Sequence, residues 1–200
     1  MSLLQVITTR FVLVQTHHPG NVGAAARAIK TMGFDELVLV NPKDSKVLNR
    51  VKCREGASGA VDVLEKARIY STLQEALEDT DVWCATGMPN EMYRERRPRD
   101  YVTPRLYFDA LMNKNGNNNN DNEQPQLSLP PLLSNNREIR ISFLFGNERV
   151  GMNEDHMDQA HVVLGIPTNP KFGSLNLASA VQLIAYDWRE AIGGYGLPVP

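Results

Sequence analysis

RFVLVQTHHPGNVGAAARAIKTMGFDELVLV, residues 10–40, is the stretch whose reading decides the fold. Arg10–Gln15 is an apolar run of the kind that forms a strand buried on both faces. The turn residues His18-Pro19-Gly20 follow, and a helical pattern then runs from Asn21 to about Met32. Glu36–Val40 is a second strand. Strand, helix and strand within roughly thirty residues make a βαβ unit, which forces parallel pairing and a right-handed crossover. The fold class is therefore α/β, a parallel sheet flanked by helices.

Within this unit Asn21 is placed to cap the helix. Gly20 and Gly23 let the backbone come close to whatever lies at the helix N-terminus, where free N–H groups favour an anion. A Gly-x-x-Gly pair alone is more often the mark of a capped helix packed on a sheet. The dinucleotide fingerprint G-x-G-x-x-G is absent, and no Lys follows Gly23 as a phosphate-binding loop requires. Arg27, six residues after Asn21, is either a solvated arginine or a residue on the helix face nearer the loops of the sheet. Position alone leaves both open.

Outward from the unit, Pro42–Arg54 turns from irregular to helical, with Val47, Leu48 and Val51 as its apolar face, and Gly56-Ala57-Ser58-Gly59 breaks it. Ala67–Tyr70 reads as a short strand. Thr72 and Glu75 form a capping-box signature that starts a helix through Glu78. Asp81–Thr86 is the next strand, running into Gly87-Met88-Pro89. Tyr93–Arg105 then holds Arg94, Arg96, Arg97, Arg99 and Arg105 with tyrosines and prolines between them. Such a stripe is a solvated loop or a contact for a polyanion, and the tyrosines tilt it towards RNA, whose unstacked bases pack on aromatic and guanidinium planes. Tyr107–Met112 is a short helix, and Asn113–Gln126 is a polar low-complexity run expected to be a flexible insertion.

The C-terminal stretch FLFGNERVGMNEDHMDQAHVVLGIPTNPKFGSLNLASAVQLIAYDWRE, residues 143–190, carries the chemistry. Ile141–Phe145 and Val162–Ile166 are strand-like runs that each enter a loop of small and polar residues. Ligands of open α/β sheets sit outside the carboxyl ends of strands, so two such loops suggest a crevice. Gly146 permits close backbone approach, and Glu148 either complements the dipole of a helix after Asn153 or accepts hydrogen bonds from a ligand or neighbouring arginines. Ser174 reads as the N-cap of the last helix. Along that helix Leu177, Val181 and Ile184 are apolar and Ala178, Ala180 and Ala185 are small, fit to seat the sheet or a second subunit.

With 200 residues, 42% of them hydrophobic, the chain can bury one sizeable core. One domain over residues 1–192 is expected, with a linker-like tail over 193–200. A net charge of −2 and a pI near 6.1 argue against a protein that coats nucleic acid with a basic face, while leaving room for a local patch. Cys53 and Cys84 fit a reducing compartment. No apolar run is long enough to cross a bilayer, and Met1–Arg10 lacks the pattern of a secretory signal, so a soluble cytoplasmic protein is expected. His17, His18, His156 and His161 show no metal-ligand spacing, no serine lies in a G-x-S-x-G elbow, and no metal is expected.

Taken together and in order, PGNVGAAARAIKTMGF, FGNERVGM and GIPTNPKFGSLNLASAVQLIAYDWRE resemble the three signature motifs of the SPOUT superfamily of RNA methyltransferases. The likeness is to the TrmH-like ribose 2′-O-methyltransferases, and within them to the TrmJ type acting on the tRNA anticodon loop. It covers the chain from about Phe11 to Glu190, except the Asn-rich insertion.

The resemblance implies a C-terminal deep trefoil knot, S-adenosylmethionine bound in that knot mostly by backbone groups, and a homodimer with the site between subunits. Its substrate is tRNA, or alternatively rRNA. The implied cofactor positions are Thr86, Gly87, Met88, Gly146, Ile166, Pro167, Gly173, Ser174 and Leu175. The implied catalytic positions are Asn21, Arg27, Glu148, Ser174 and Asn176. Arginine stays protonated in proteins, so Arg27 is assigned to stabilising the developing alkoxide rather than to acting as base. Ser174 and Asn176 would position ribose or cofactor, and Glu148 would hold an arginine. Members of the TrmJ type often carry a C-terminal extension, whereas this sequence ends at Gly193–Pro200. Competing readings are methylation of a different ribose, a dinucleotide-binding oxidoreductase, disfavoured by the missing fingerprint, and an RNA-binding module without catalysis.

Overall fold

The computed structural model of the chain describes residues 7–88, 99–113 and 138–196. Arg94, Arg96 and Arg97, and the Asn-rich stretch beyond Asn113, lie outside them. The described residues form a six-stranded sheet: β1 (Ile7–Val14), β2 (Glu36–Val40), β3 (Arg68–Tyr70), β4 (Val82–Gly87), β5 (Ile139–Phe145) and β6 (Val162–Gly165). The strand order is β3-β2-β1-β5-β4-β6, and every pairing is parallel. After β1 the chain moves outward through β2 to β3, then crosses to the other side for β4. Strand β5 is inserted between β1 and β4, so loops leave the carboxyl ends of β1 and β5 in opposite directions and open a crevice there.

Among the described residues seven α-helices cover the sheet: α1 (Pro19–Thr31), α2 (Val51–Ala57), α3 (Val61–Lys66), α4 (Leu73–Leu77), α5 (Pro104–Asn113), α6 (Glu154–Gln159) and α7 (Leu177–Ala191). Strand side chains alternate between two faces. Phe11, Leu13, Leu37, Leu39, Phe143 and Phe145 pack on one face under α1, α5 and α7, with Trp188 of α7 fully buried among them. The Trp188 indole N–H donates to Thr9 Oγ1 at 2.9 Å, so the polar edge of the largest core side chain is satisfied. Val12, Val14, Val38, Val40 and Leu144 pack on the other face, against Leu73 and Ala76 of α4 and Met157 of α6.

Among the described residues Arg10 is the one charged side chain in the buried set, at 1% exposure. It donates to Glu36 at 2.8 Å, to Asp79 at 2.7 Å and to the Ala76 carbonyl at 2.6 Å, so its buried charge is matched.

Local expectations and structure differ at four places. Helix α1 begins at Pro19, with His18 as N-cap and no side-chain cap bond, rather than at a capping Asn21. Proline lacks an N–H and has its φ preset for a helix, so it takes the first position and puts Asn21 inside the first turn. The last helix is capped by Asn176, whose side chain accepts from the Ala178 N–H at 2.9 Å, not by Ser174. Val51 is 70% exposed rather than core-facing; Cys53 and Ala57 bury that helix against α1. There Gly23 is required, since a Cβ on it would fall 1.9 Å from the Cys53 carbonyl oxygen. Helix α3 was not anticipated, because Ser58 takes a positive φ of 50° and lets the chain resume helix after a break. The Thr72–Glu75 capping box is present as read. None of the described helices is long and apolar enough to cross a membrane.

Candidate active site

Four loops converge at the carboxyl edge of the sheet. The turn after β4 brings Thr86, Gly87 and Met88, the loop after β5 brings Gly146 to Met152, the turn after β6 brings Ile166 and Thr168, and the approach to α7 brings Gly173, Ser174 and Leu175. Together they enclose a hollow of about 130 Å³, open to solvent on one side. Of the positions expected to hold a cofactor, all line it except Pro167.

The loop after β5 owes its shape to its glycines. Asn147 and Gly151 exchange backbone hydrogen bonds of 3.0 and 2.7 Å, which Gly151 permits by adopting a φ of 73°. Gly146 sits inside the returning chain, where a Cβ would lie 2.2 Å from the Met152 nitrogen. No other residue fits there without opening the loop. Gly87, which lines the hollow, pairs with Gly165 across β4 and β6, and Tyr101 packs against both; a Cβ on Gly87 would fall 2.7 Å from the Tyr101 ring. Tyr101 is held there by Val102, whose N–H donates to the Val163 carbonyl at 3.0 Å.

Asn21, Glu148 and Asn176, drawn from three distant segments, form one polar chain. The Asn176 side-chain oxygen caps α7, its amide donates to Asn21 Oδ1 at 3.1 Å, and the Asn21 amide donates to Glu148 Oε1 at 3.0 Å. Each bond fixes the amide orientation of the next, so neither asparagine can flip without breaking a partner. Glu148 also accepts from the backbone N–H groups of His17 at 2.8 Å and His18 at 3.2 Å. The dipole it complements is therefore that of α1, not of α6 as the sequence order suggested, because β1 and β5 are neighbours in the sheet. An internal carboxylate thus occupies the helix N-terminus that the sequence offered to an outside anion. Partial burial alone would raise the Glu148 pKa, but the hydrogen bonds from Asn21, His17 and His18 outweigh it and hold the carboxyl below its ordinary 4.5.

Ser174 is exposed at the rim. Arg27 is exposed on α1, outside the hollow, and its side chain forms no ion pair or hydrogen bond with the other described residues. Arg99 is paired with Glu154 at 3.1 Å and Asp158 at 2.5 Å, and its side chain is only 13% exposed. Sequence reasoning missed Met152, Leu177 and Ala180, which also line the hollow. Apolar residues at a loop return and on a helix face carry no signal for this; only the closing of the loop brings them in. Among the described residues no group of three His, Cys, Asp or Glu is placed to hold a metal.

Comparison with known proteins addresses the same segments. The profile of the SpoU rRNA methylase family matches residues 8–97 and 112–186, which include the whole hollow. The chain belongs to the SpoU methylase family. Among curated SpoU-type relatives, a Pseudomonas aeruginosa protein named tRNA (cytidine/uridine/adenosine-2′-O-)-methyltransferase TrmJ is 37% identical over 183 residues, 91% of this chain and 60% of its own length. This chain thus spans about 60% of the length of such relatives. Among solved structures, a probable methyltransferase from Bordetella pertussis superposes with a TM-score of 0.73 at 32% identity, covering 95% of this chain and 99% of its own. TrmJ from Z. mobilis superposes at 0.70 with 30% identity, over 96% of this chain and 73% of its own. The SpoU fold over the described residues is the parallel sheet flanked by helices read from the sequence.

Proposed function

We propose that this chain is an S-adenosylmethionine-dependent tRNA 2′-O-ribose methyltransferase and that its target is a pyrimidine at the first nucleotide of the anticodon loop. The observation that carries the reading is that the second and third motifs line one hollow and the first is tied to it by the Asn176–Asn21–Glu148 chain. The names of relatives that act on tRNA support the substrate class.

The lining suits the cofactor. Glycines 87, 146, 151 and 173 keep side chains out of the hollow, and Met88, Ile166, Leu175 and Leu177 give apolar walls, a lining that fits an adenosine carrying a sulfonium chain. When bound, the cofactor supplies a methyl group on a positively charged sulfur. Residues of this chain then have three tasks. The glycine loops fix the donor. Ser174, at the rim, and Asn176, at the N-terminus of α7, hold the ribose so that its 2′ oxygen lies in line with the methyl carbon. Arg27 stabilises the negative charge that grows on that oxygen, while the hydroxyl proton leaves to water or a phosphate.

Arg27 lies outside the hollow of its own chain, which favours a homodimer in which a second copy supplies it. The exposed apolar residues Phe172, Leu183 and Tyr186, at 80%, 41% and 45% exposure, support such a face. The reading further includes a trefoil knot formed where the chain from Ile166 to Leu175 returns to α7, a single domain over residues 1–192, a cytoplasmic location, and RNA contacts by Arg94, Arg96 and Arg97; Arg99, engaged by Glu154 and Asp158, is left out of that set. The test is transfer of labelled methyl groups to bulk tRNA against rRNA, followed by nucleoside mapping. Label in a 2′-O-methylpyrimidine at the start of the anticodon loop is the expected result. Label confined to rRNA would move the target, and no label in either RNA would defeat the reading.

A further inference from the structure

We infer that Lys43 and Arg149, beside the His17 ring, form a docking rim for RNA phosphodiester groups next to the hollow. This deepens the proposal that the substrate is RNA and rests on it. The two cations belong to loops that leave β2 and β5, the strands on either side of β1. In the sheet, Leu13 pairs with both Leu39 and Phe145, so the three strands end at one level.

Backbone and side-chain hydrogen bonds then stitch the loops together. The Lys43 N–H donates to the Thr16 carbonyl at 3.0 Å, the Asn147 amide to the Gln15 carbonyl at 2.6 Å, and the His17 N–H to Glu148 at 2.8 Å. The loop that carries Arg149 is closed on itself, with the Arg149 N–H donating to Asn147 Oδ1 at 2.8 Å. Both cations are therefore mounted on ordered backbone, and Arg149 directly follows Glu148, which lines the hollow.

The charges are unmatched from within. Lys43 and Arg149 are exposed, and neither forms an ion pair with the other described residues. Some exposed cations elsewhere are matched, as Lys30 is by Asp62, Lys66 by Asp35 and Arg105 by Asp187, while Arg27, Lys46, Lys52 and Lys171 are not matched by the other described residues; what sets Lys43 and Arg149 apart is that they stand together on tied loops beside the hollow. The acids adjacent in sequence are already engaged. Asp44, next to Lys43, takes Arg50 at 2.5 Å, and Glu148, next to Arg149, takes the N-terminal donors of α1. The His17 ring is held below its ordinary 6.5 first by desolvation and then by the charges of Arg149, His18 and Lys43, opposed by the Glu148 carboxylate, so both cations lie within electrostatic reach of the ring.

Two exposed cations on tied loops at the edge of the hollow offer a place for an anion from outside. A ribose presented to the hollow brings a phosphate on each side. That source fits both the charge and the position.

The experiment measures binding of unmodified tRNA over a salt series by wild type, by K43Q/R149Q and by the charge-keeping K43R/R149K, with S-adenosylmethionine affinity and melting temperature recorded for each. The neutral variant is expected to bind tRNA roughly tenfold or more weakly at low salt, with a slope of log K against log salt flattened by about 1 to 2. S-adenosylmethionine affinity should stay within about twofold, and the charge-keeping variant should match wild type. Unchanged tRNA affinity and slope in K43Q/R149Q, with wild type binding tRNA, would overturn the rim alone. Wild type that binds no tRNA would overturn the RNA reading and the rim with it. An equal loss in both variants would mean that shape rather than charge is at work, which also overturns it.

Discussion

Replacing Glu148 by glutamine tests the polar chain at its centre. The carboxylate takes His17 N–H on one oxygen and His18 N–H plus the Asn21 amide on the other. Glutamine keeps a single acceptor oxygen and turns the other into a donor. With the oxygen facing His18 and Asn21, the His17 N–H meets an amide N–H; with it reversed, two donors lose their partner. Asn21 cannot flip to compensate, because its own oxygen is held by Asn176. At least one hydrogen bond to a charged acceptor is lost, worth about 1.5–3 kcal/mol when well buried and less at this half-exposed site. Loss of the negative charge at the start of α1 adds about 0.3–1 kcal/mol. The expected destabilisation is therefore about 2 kcal/mol at pH 7, read by urea unfolding through tryptophan fluorescence. Its pH dependence is also set. The folded protein holds the carboxyl below its ordinary 4.5, so the folded state binds fewer protons than the unfolded state in that range. The stabilisation is complete above the ordinary value and is lost as pH falls through the lower folded value. The gap between wild type and Glu148→Gln should close on acidification. A difference under about 0.5 kcal/mol at pH 7, or one that persists unchanged in acid, would refute the reasoning.

Three other outcomes are expected. Gly146→Ala must push its Cβ away from the Met152 nitrogen, opening the Asn147–Gly151 bridge. It should cost about 1–3 kcal/mol by thermal unfolding and weaken S-adenosylmethionine at least tenfold by calorimetry. Asn176→Ala removes the cap of α7 and the link to Asn21; about 1 kcal/mol of stability should go, and single-turnover methyl transfer should fall more than stability does. Cys53 and Cys84 are fully buried, burial pushing the Cys53 thiol up to about 11 and Cys84 higher still, so a thiol reagent at pH 8 should label neither until the protein unfolds.

The sheet was legible because its strands are short apolar runs separated by turn residues, and Glu36–Val40 begins and ends where the pattern says. The hollow was legible for a related reason: parallel strands expose their carboxyl ends on one side, so small-residue loops after β4, β5 and β6 had to meet. What the sequence hid depends on neighbours across the sheet. Ser174 and Asn176 are both good caps two residues apart, and only the contact with Asn21 selects the second. Glu148 stands near α6 in sequence, but the insertion of β5 beside β1 hands it to α1. Arg99 reads as part of a basic stripe, and nothing in that stripe reveals that Glu154 and Asp158 are folded against it.

The most direct test of the central claim, that the four loops form a site for a methyl donor, is calorimetric titration of the protein with S-adenosylmethionine and, separately, with NAD. Saturable binding of S-adenosylmethionine, greatly weakened in Gly146→Ala and absent for NAD, is the expected result. Binding of NAD, or S-adenosylmethionine binding that Gly146→Ala leaves untouched, would contradict it.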